Sequence, residues 1–124
     1  MANNFILKDF KRGVKKLEEI LSIKKTEIVR DSAIKRFEIC FDLAWKLAKN
    51  IAKKQGEIEC YSPKQCFKVI FQLRIIKHNG KWIKMVDDRN SCAHIYKESM
   101  AEKVYSKLKG YLELFQELLK NTTE

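Results

Sequence analysis

The chain has 124 residues, 45% hydrophobic and 34% charged, with one proline and four glycines. That is the length of one ordinary domain, 1–124, with enough apolar residues for a core, too many for a disordered chain and too little turn punctuation for a β-sandwich. Twenty-six basic against sixteen acidic residues leave a net charge of +10, which attracts polyanions, nucleic acid first among them. Most of the cations are lysines scattered along the chain, so charge alone does not select that partner.

The first periodic segment runs from Asn4 to Leu21, where Phe10, Val14, Leu17 and Leu21 follow one another at helical steps. Ser22 to Thr26 breaks the pattern, and Thr26 with Glu27 and Asp31 suits a helix start. The second helix is the longest. Its stripe is Ile34, Phe37, Phe41, Ala44, Ala48 and Ile51 or Ala52, widened by Cys40, Leu43 and Trp45, with Gly56 as its stop. Ser62-Pro63 is an N-cap followed by proline at the first helical position, which predicts a third helix to about Lys77. Its core set is Cys66, Phe67, Ile70, Phe71 and Leu73 or Arg74.

His78-Asn79-Gly80 reads as an exposed turn, and a fourth helix from near Lys81 carries Trp82, Met85 and Val86. A kink or break is expected between Ser91 and Lys97. The last helix, from about Glu98, buries Ala101, Val104, Tyr105, Leu108, Leu112 and Phe115. With no strand-like alternation of useful length, the fold class is all-α: an antiparallel up-and-down bundle of four or five helices without a sheet. Trp45 and Trp82 read as core or interface aromatics.

The cysteines are Cys40, Cys60, Cys66 and Cys92. No pair has the gap of a zinc knuckle, and the two histidines add no cluster, so no metal site is expected and the thiols read as free and structural. The N-terminal stretch has neither a long apolar core nor a small-residue cleavage site, and no apolar run approaches a membrane span. The compartment expected is a reducing cytoplasm.

Glycine-rich phosphate loops, metalloprotease helices and nucleophile elbows are lacking from the sequence. Chemistry-bearing residues concentrate in the stretch from Asp87 to Tyr96, which holds Asp88, Arg89, Asn90, His94 and Tyr96. Cleaving a ribose phosphate without metal needs a base for the 2′-hydroxyl, a cation beside the phosphorane and an acid for the leaving oxygen. A histidine such as His94 suits the base, because imidazole titrates near neutrality. Arg89 offers a planar charged fork for phosphate oxygens, and Asn90 a further hydrogen bond or a hold on the imidazole.

On a straight helix Asn90 and His94 lie about 40° apart, but Arg89 and His94 about 140° apart. Either the helix breaks inside the motif or a second subunit completes the site. A two-fold dimer would pair two His94 side chains, one as base and one as acid. An arginine five positions before a histidine is a common coincidence, and a capping histidine bonded to a nearby carboxylate is the alternative role.

The pattern Arg89-Asn90-x-x-x-His94-x-Tyr96 resembles the signature of HEPN-domain toxins of the HepT kind. Arg30-Asp31, Ile34-Lys35-Arg36-Phe37-Glu38 and Phe41-Asp42-Leu43-Ala44-Trp45-Lys46 resemble the nucleotidyltransferase substrate-binding protein family. So does the later block of Trp82, Met85, Asp88, Arg89, Asn90, His94, Tyr96, Ala101 and Tyr105, and together the blocks span nearly the whole chain.

The resemblance implies a HEPN-like helical bundle that dimerises through the motif region, partnered by a minimal nucleotidyltransferase acting as antitoxin. It implies a metal-independent endoribonuclease without cofactor, acting on RNA through a composite Arg/His site at the dimer interface and silenced by AMP transfer to a tyrosine. Carried over residue by residue, Arg89 and His94 are catalytic, Asn90 and Asp88 are supporting groups and Tyr96 is the AMP acceptor. Ala93 stands where the family commonly has a small hydroxyl residue.

The competing expectation is a non-catalytic subunit that presents substrate to the nucleotidyltransferase. A third is a basic helical protein that coats nucleic acid, which would require a continuous cationic face. Glu18, Glu19, Asp42 and Glu98 interrupt the lysines.

Overall fold

The helical steps of the sequence become five α-helices in the computed structural model, which describes residues 2–77 and 79–122. They are α1 (Ala2–Leu21), α2 (Glu27–Gly56), α3 (Pro63–Gln72), α4 (Asn79–Ser91) and α5 (Glu98–Thr122), with a 3₁₀ turn at Cys92–His94. No strand occurs among the described residues, and none of these helices is long and apolar enough to cross a membrane. The longest helix, α2, packs on α1, α3 and α5, and α3 supports α4, which makes an all-α antiparallel bundle. His78, read as part of an exposed turn, lies outside the described residues.

Local chemistry sets most helix ends. Thr26 caps α2 by accepting the Val29 N–H at 3.1 Å, and Ser62 caps α3 by accepting the Gln65 N–H at 3.2 Å. The helix predicted to reach Lys77 ends at Gln72 instead. Arg74 takes a left-handed φ of 64°, its N–H bonds the Phe71 carbonyl and the Ile75 N–H bonds the Ile70 carbonyl, both at 2.9 Å. This is a Schellman ending with arginine where glycine is usual. It leaves Phe71 partly exposed and Arg74 at the surface, so neither joins the core as expected. The end of α2 is also left-handed, but at Glu57 and not at Gly56.

Aromatic rings tie the five helices together. Phe37 of α2 and Phe10 of α1 both meet Phe115 of α5, at 6.1 and 5.9 Å between centroids. Trp82 of α4 lies 5.9 Å from Phe115 and 4.6 Å from Phe67 of α3. Tyr111 stacks on Phe37 at 5.5 Å. Such pairs contribute roughly 0.5–1.5 kcal/mol each beyond their burial. Cys40 packs in the α1–α2 contact, where a Cβ on Gly13 would sit 3.3 Å from its sulfur.

The expectation of four free thiols is corrected by a disulfide between Cys60 and Cys66, both fully buried, that joins the chain before α3 to its first turn. Only Cys40 and Cys92 are free, so the cysteines do not support the reducing compartment expected from sequence. A bridge across so short a loop, six residues apart in sequence, constrains the unfolded chain by roughly 2 kcal/mol. Replacing both cysteines with alanine is expected to lower the melting temperature by several degrees while leaving the helical circular dichroism intact. An unchanged melting temperature would mean that the bridge contributes nothing to stability.

Candidate functional site

The motif straddles a break in the backbone. α4 ends at Ser91, the 3₁₀ turn covers Cys92–His94, and Ile95 is already extended at φ −79°, ψ 109°. The helix therefore breaks inside the motif, between Arg89 and His94. The Ser91 hydroxyl and the Cys92 thiol both donate to the Asp88 carbonyl, at 2.8 and 3.3 Å, and fasten the end of α4. The exposed Ala93 leaves that fastening to its two predecessors.

The first half of the motif is clamped to the bundle. Phe37 buries its ring while its neighbour Glu38, and Asp42 one turn later, turn toward α4. The Arg89 guanidinium bridges them, with Nη1 donating to Glu38 at 3.0 Å and Nη2 lying 3.4 Å from Asp42. Arg89 is 24% exposed and Glu38 20%, so the cluster is partly screened from water. The Arg89 Nε is buried and has no hydrogen-bond partner among the described residues.

Asp88 faces the other way. It accepts a short hydrogen bond from the Tyr111 hydroxyl and an ion pair from Lys107 at 3.2 Å. Burial, then the Asp88 carboxylate, pushes the Tyr111 phenol well above its usual range, so it stays a donor. Asp88 is thus a structural anchor tying α4 to the aromatic core through Tyr111 and Phe37.

The second half of the motif is presented to solvent. His94 is exposed and makes no hydrogen bond or ion pair with the described residues; Asn90 is exposed as well, and Tyr96 is 79% exposed. Cys92, between the halves, is half-buried, and burial first, then Glu38, pushes its thiol up to about 11, which disfavours the thiolate.

Behind Tyr96 the start of α5 is pinned by Arg30, which is only 4% exposed. Its guanidinium meets Asp31 at 2.9 Å, Glu98 at 2.6 Å and Glu102 at 3.0 Å. Lys25 also donates to Glu102, and these hydrogen bonds, Lys25 first, hold the Glu102 carboxyl below the usual carboxylate range. A cavity of about 360 Å³ opens here, lined by Arg30, Ile34, Cys92, Ile95, Tyr96 and Lys97 among others.

All five predicted site residues therefore lie on one stretch, but in three settings: Arg89 paired, Asp88 anchored, and Asn90, His94 and Tyr96 free at the surface. Sequence reasoning missed the Glu38 and Asp42 clamp. Its signal is present, since two acids four residues apart share a helix face. Tyr111 was likewise missed, because its spacing marks it as core and only its hydroxyl reaches the motif.

The family model of chains described as nucleotidyltransferase substrate binding protein like matches residues 6–124. No curated protein is significantly similar in sequence. Among solved structures, a protein from Thermus thermophilus is 24% identical, with a TM-score of 0.86 over 92% of this chain and 99% of its own. HI0074 from Haemophilus influenzae, whose structure is described as revealing the fold of a substrate binding domain of a nucleotidyltransferase, is 21% identical. It superposes with a TM-score of 0.78 over 92% of this chain and 96% of its own. A tri-AMPylated HEPN toxin from Shewanella oneidensis, in complex with MNT antitoxin, is 22% identical, with a TM-score of 0.76 over 96% of this chain and 94% of its own. At these identities the structural likeness establishes a shared fold.

Proposed function

The chain belongs to the nucleotidyltransferase substrate binding protein like family, and from that premise we propose that it is the toxin of a nucleotidyltransferase–HEPN pair. In this reading it is a metal-independent endoribonuclease that acts as a homodimer and is silenced by AMP transfer to Tyr96. The observation that carries the proposal is the helix break inside the motif, which leaves Arg89 fixed on the bundle while His94 and Tyr96 face solvent.

The chemistry follows from that arrangement. A neutral His94 takes the 2′-hydroxyl proton, and the 2′-oxygen attacks the adjacent phosphorus. Arg89 stabilises the charge that builds on the phosphorane oxygens. A protonated His94 from the second protomer gives its proton to the departing 5′-oxygen. The products are a 2′,3′-cyclic phosphate and a 5′-hydroxyl. Asn90 hydrogen-bonds the substrate or an imidazole, and Asp88 holds α4 in place.

One observation favours a second reading, the non-catalytic subunit that presents substrate to a nucleotidyltransferase. Glu38 and Asp42 already neutralise the Arg89 fork, so a phosphate must compete with two carboxylates for it. Incubating the purified protein with total RNA in EDTA separates the two. Fragments with cyclic phosphate ends are the expected result; intact RNA at every protein concentration would leave the substrate-binding subunit as the better account.

A further inference from the structure

We infer that the seam between α4 and α5 is the track along which single-stranded RNA reaches the motif; this rests on the ribonuclease reading above. Two cavities open between these helices. The larger, about 570 Å³, is walled by Lys77, Lys81 and Lys84 on one side and by Lys107, Gly110 and Leu114 on the other. The smaller, about 270 Å³, shares Lys107 and is lined by Lys103, Val104, Ser91 and Ile95 together with Asp87 and Asp88. Ser91 and Ile95 belong to the motif stretch, so the smaller cavity reaches the segment that carries the proposed catalytic residues. Because α4 has 13 residues, its side of the groove is about 20 Å long, room for several nucleotides.

The charges of the larger cavity suit a phosphate backbone, while in the smaller one Lys103 and Lys107 are balanced by Asp87 and Asp88. Four lysines line the larger cavity against two glutamates, and one of these, Glu117, accepts the Lys77 backbone N–H at 3.0 Å. Lys77, Lys81, Lys84 and Lys103 form no ion pair with the described residues, whereas Lys107 is held by Asp88. These lysines are point charges without the planar fork that reads base edges, so the grip is on phosphate and tolerant of sequence. The floor of Leu114 and Val104 is apolar and can receive bases. A single strand suits the chemistry, because attack by the 2′-oxygen needs a backbone free to bring it in line.

Gly110 supplies a clean probe. A Cβ built there meets nothing within 4 Å, so a side chain at this position enters the groove without disturbing the bundle. The test measures binding of a short fluorescent oligouridylate to the full chain carrying His94→Ala, across a salt series. In that background Lys81→Glu with Lys84→Glu is expected to weaken binding by roughly tenfold or more. The same pair should flatten the salt dependence by about 0.7 in log–log slope for each phosphate that a lysine no longer neutralises. Gly110→Glu is expected to weaken binding several-fold and Gly110→Ala to leave it unchanged; none of these variants should lower the melting temperature, and alanine at this exposed helical position should raise it. Unchanged RNA binding in the charge-reversed variant, while the wild type still cleaves RNA, would overturn the track and leave the ribonuclease standing. The same variant binding RNA normally but losing AMP transfer to Tyr96 would overturn it too, reassigning the groove to the nucleotidyltransferase. No binding by the His94→Ala protein together with no cleavage by the wild type would overturn both.

Discussion

Replacing His94 with alanine is expected to lower RNA cleavage by about 10²–10⁴-fold, the usual contribution of a positioned acid or base. The melting temperature should not move. His94 is exposed at the end of the 3₁₀ turn and bonds to nothing among the described residues, so its removal opens no cavity and orphans no partner. A fluorogenic RNA assay run beside a thermal melt reads both quantities. Cleavage that survives the substitution would end the catalytic assignment, and a lowered melting temperature would reveal a structural role instead. In a dimer with one His94 as base and the other as acid, mixing mutant and wild-type chains adds a further check, because a mixed dimer lacks one of the two proton-transfer groups.

Arg89 does not offer so clean an experiment. Alanine there removes the cation but also leaves Glu38 and Asp42 facing each other across a half-buried surface, at a cost of about 1 kcal/mol after allowing for their contact with water. Lost activity in Arg89→Ala therefore mixes two effects. Lysine keeps the charge but cannot bridge both carboxylates as a planar fork, so Arg89→Lys separates charge from geometry. The clamp has a mechanistic meaning in either reading. It fixes the guanidinium relative to α2 before substrate arrives, and it demands that a phosphate bring enough negative charge to share the fork.

The helices were legible because each buries a stripe at three- and four-residue steps, and their starts because Thr26 and Ser62 are recognisable caps. The break between α4 and α5 was legible as a loss of apolar period. What escaped the sequence depends on contacts across the chain or on backbone states outside residue preference. Arg74 and Glu57 take left-handed conformations that composition assigns to glycine. Cys60 and Cys66 are brought together by the turn into α3, and nothing in their spacing distinguishes that pairing from two buried thiols. The same holds for the site. The motif itself is local and was visible as Arg89, His94 and Tyr96. The partners that divide it into a clamped half and a free half come from α2 and α5, and only the fold shows that Glu38 meets Arg89 or that Tyr111 meets Asp88.

Tyr96→Phe is expected to keep nuclease activity and stability but to take up no AMP when incubated with the nucleotidyltransferase and labelled ATP. The wild-type phenol stands clear of the bundle, where the active site of a second protein can reach it. Phenylalanine has the same shape without the oxygen that forms the phosphodiester, so labelling should fall to background while an exposed-surface change leaves the fold within about 0.5 kcal/mol. Silencing in the wild type is then a charge and bulk effect. An AMP on Tyr96 would add negative charge and a nucleoside within the same motif as Arg89, and both would oppose an incoming RNA phosphate. Because charge repulsion is screened by salt and bulk is not, residual cleavage by the modified protein should rise little with ionic strength if the nucleoside blocks the groove, and measurably if repulsion dominates. Continued labelling of the phenylalanine variant would show that the acceptor lies elsewhere, with the exposed Tyr61 next to test.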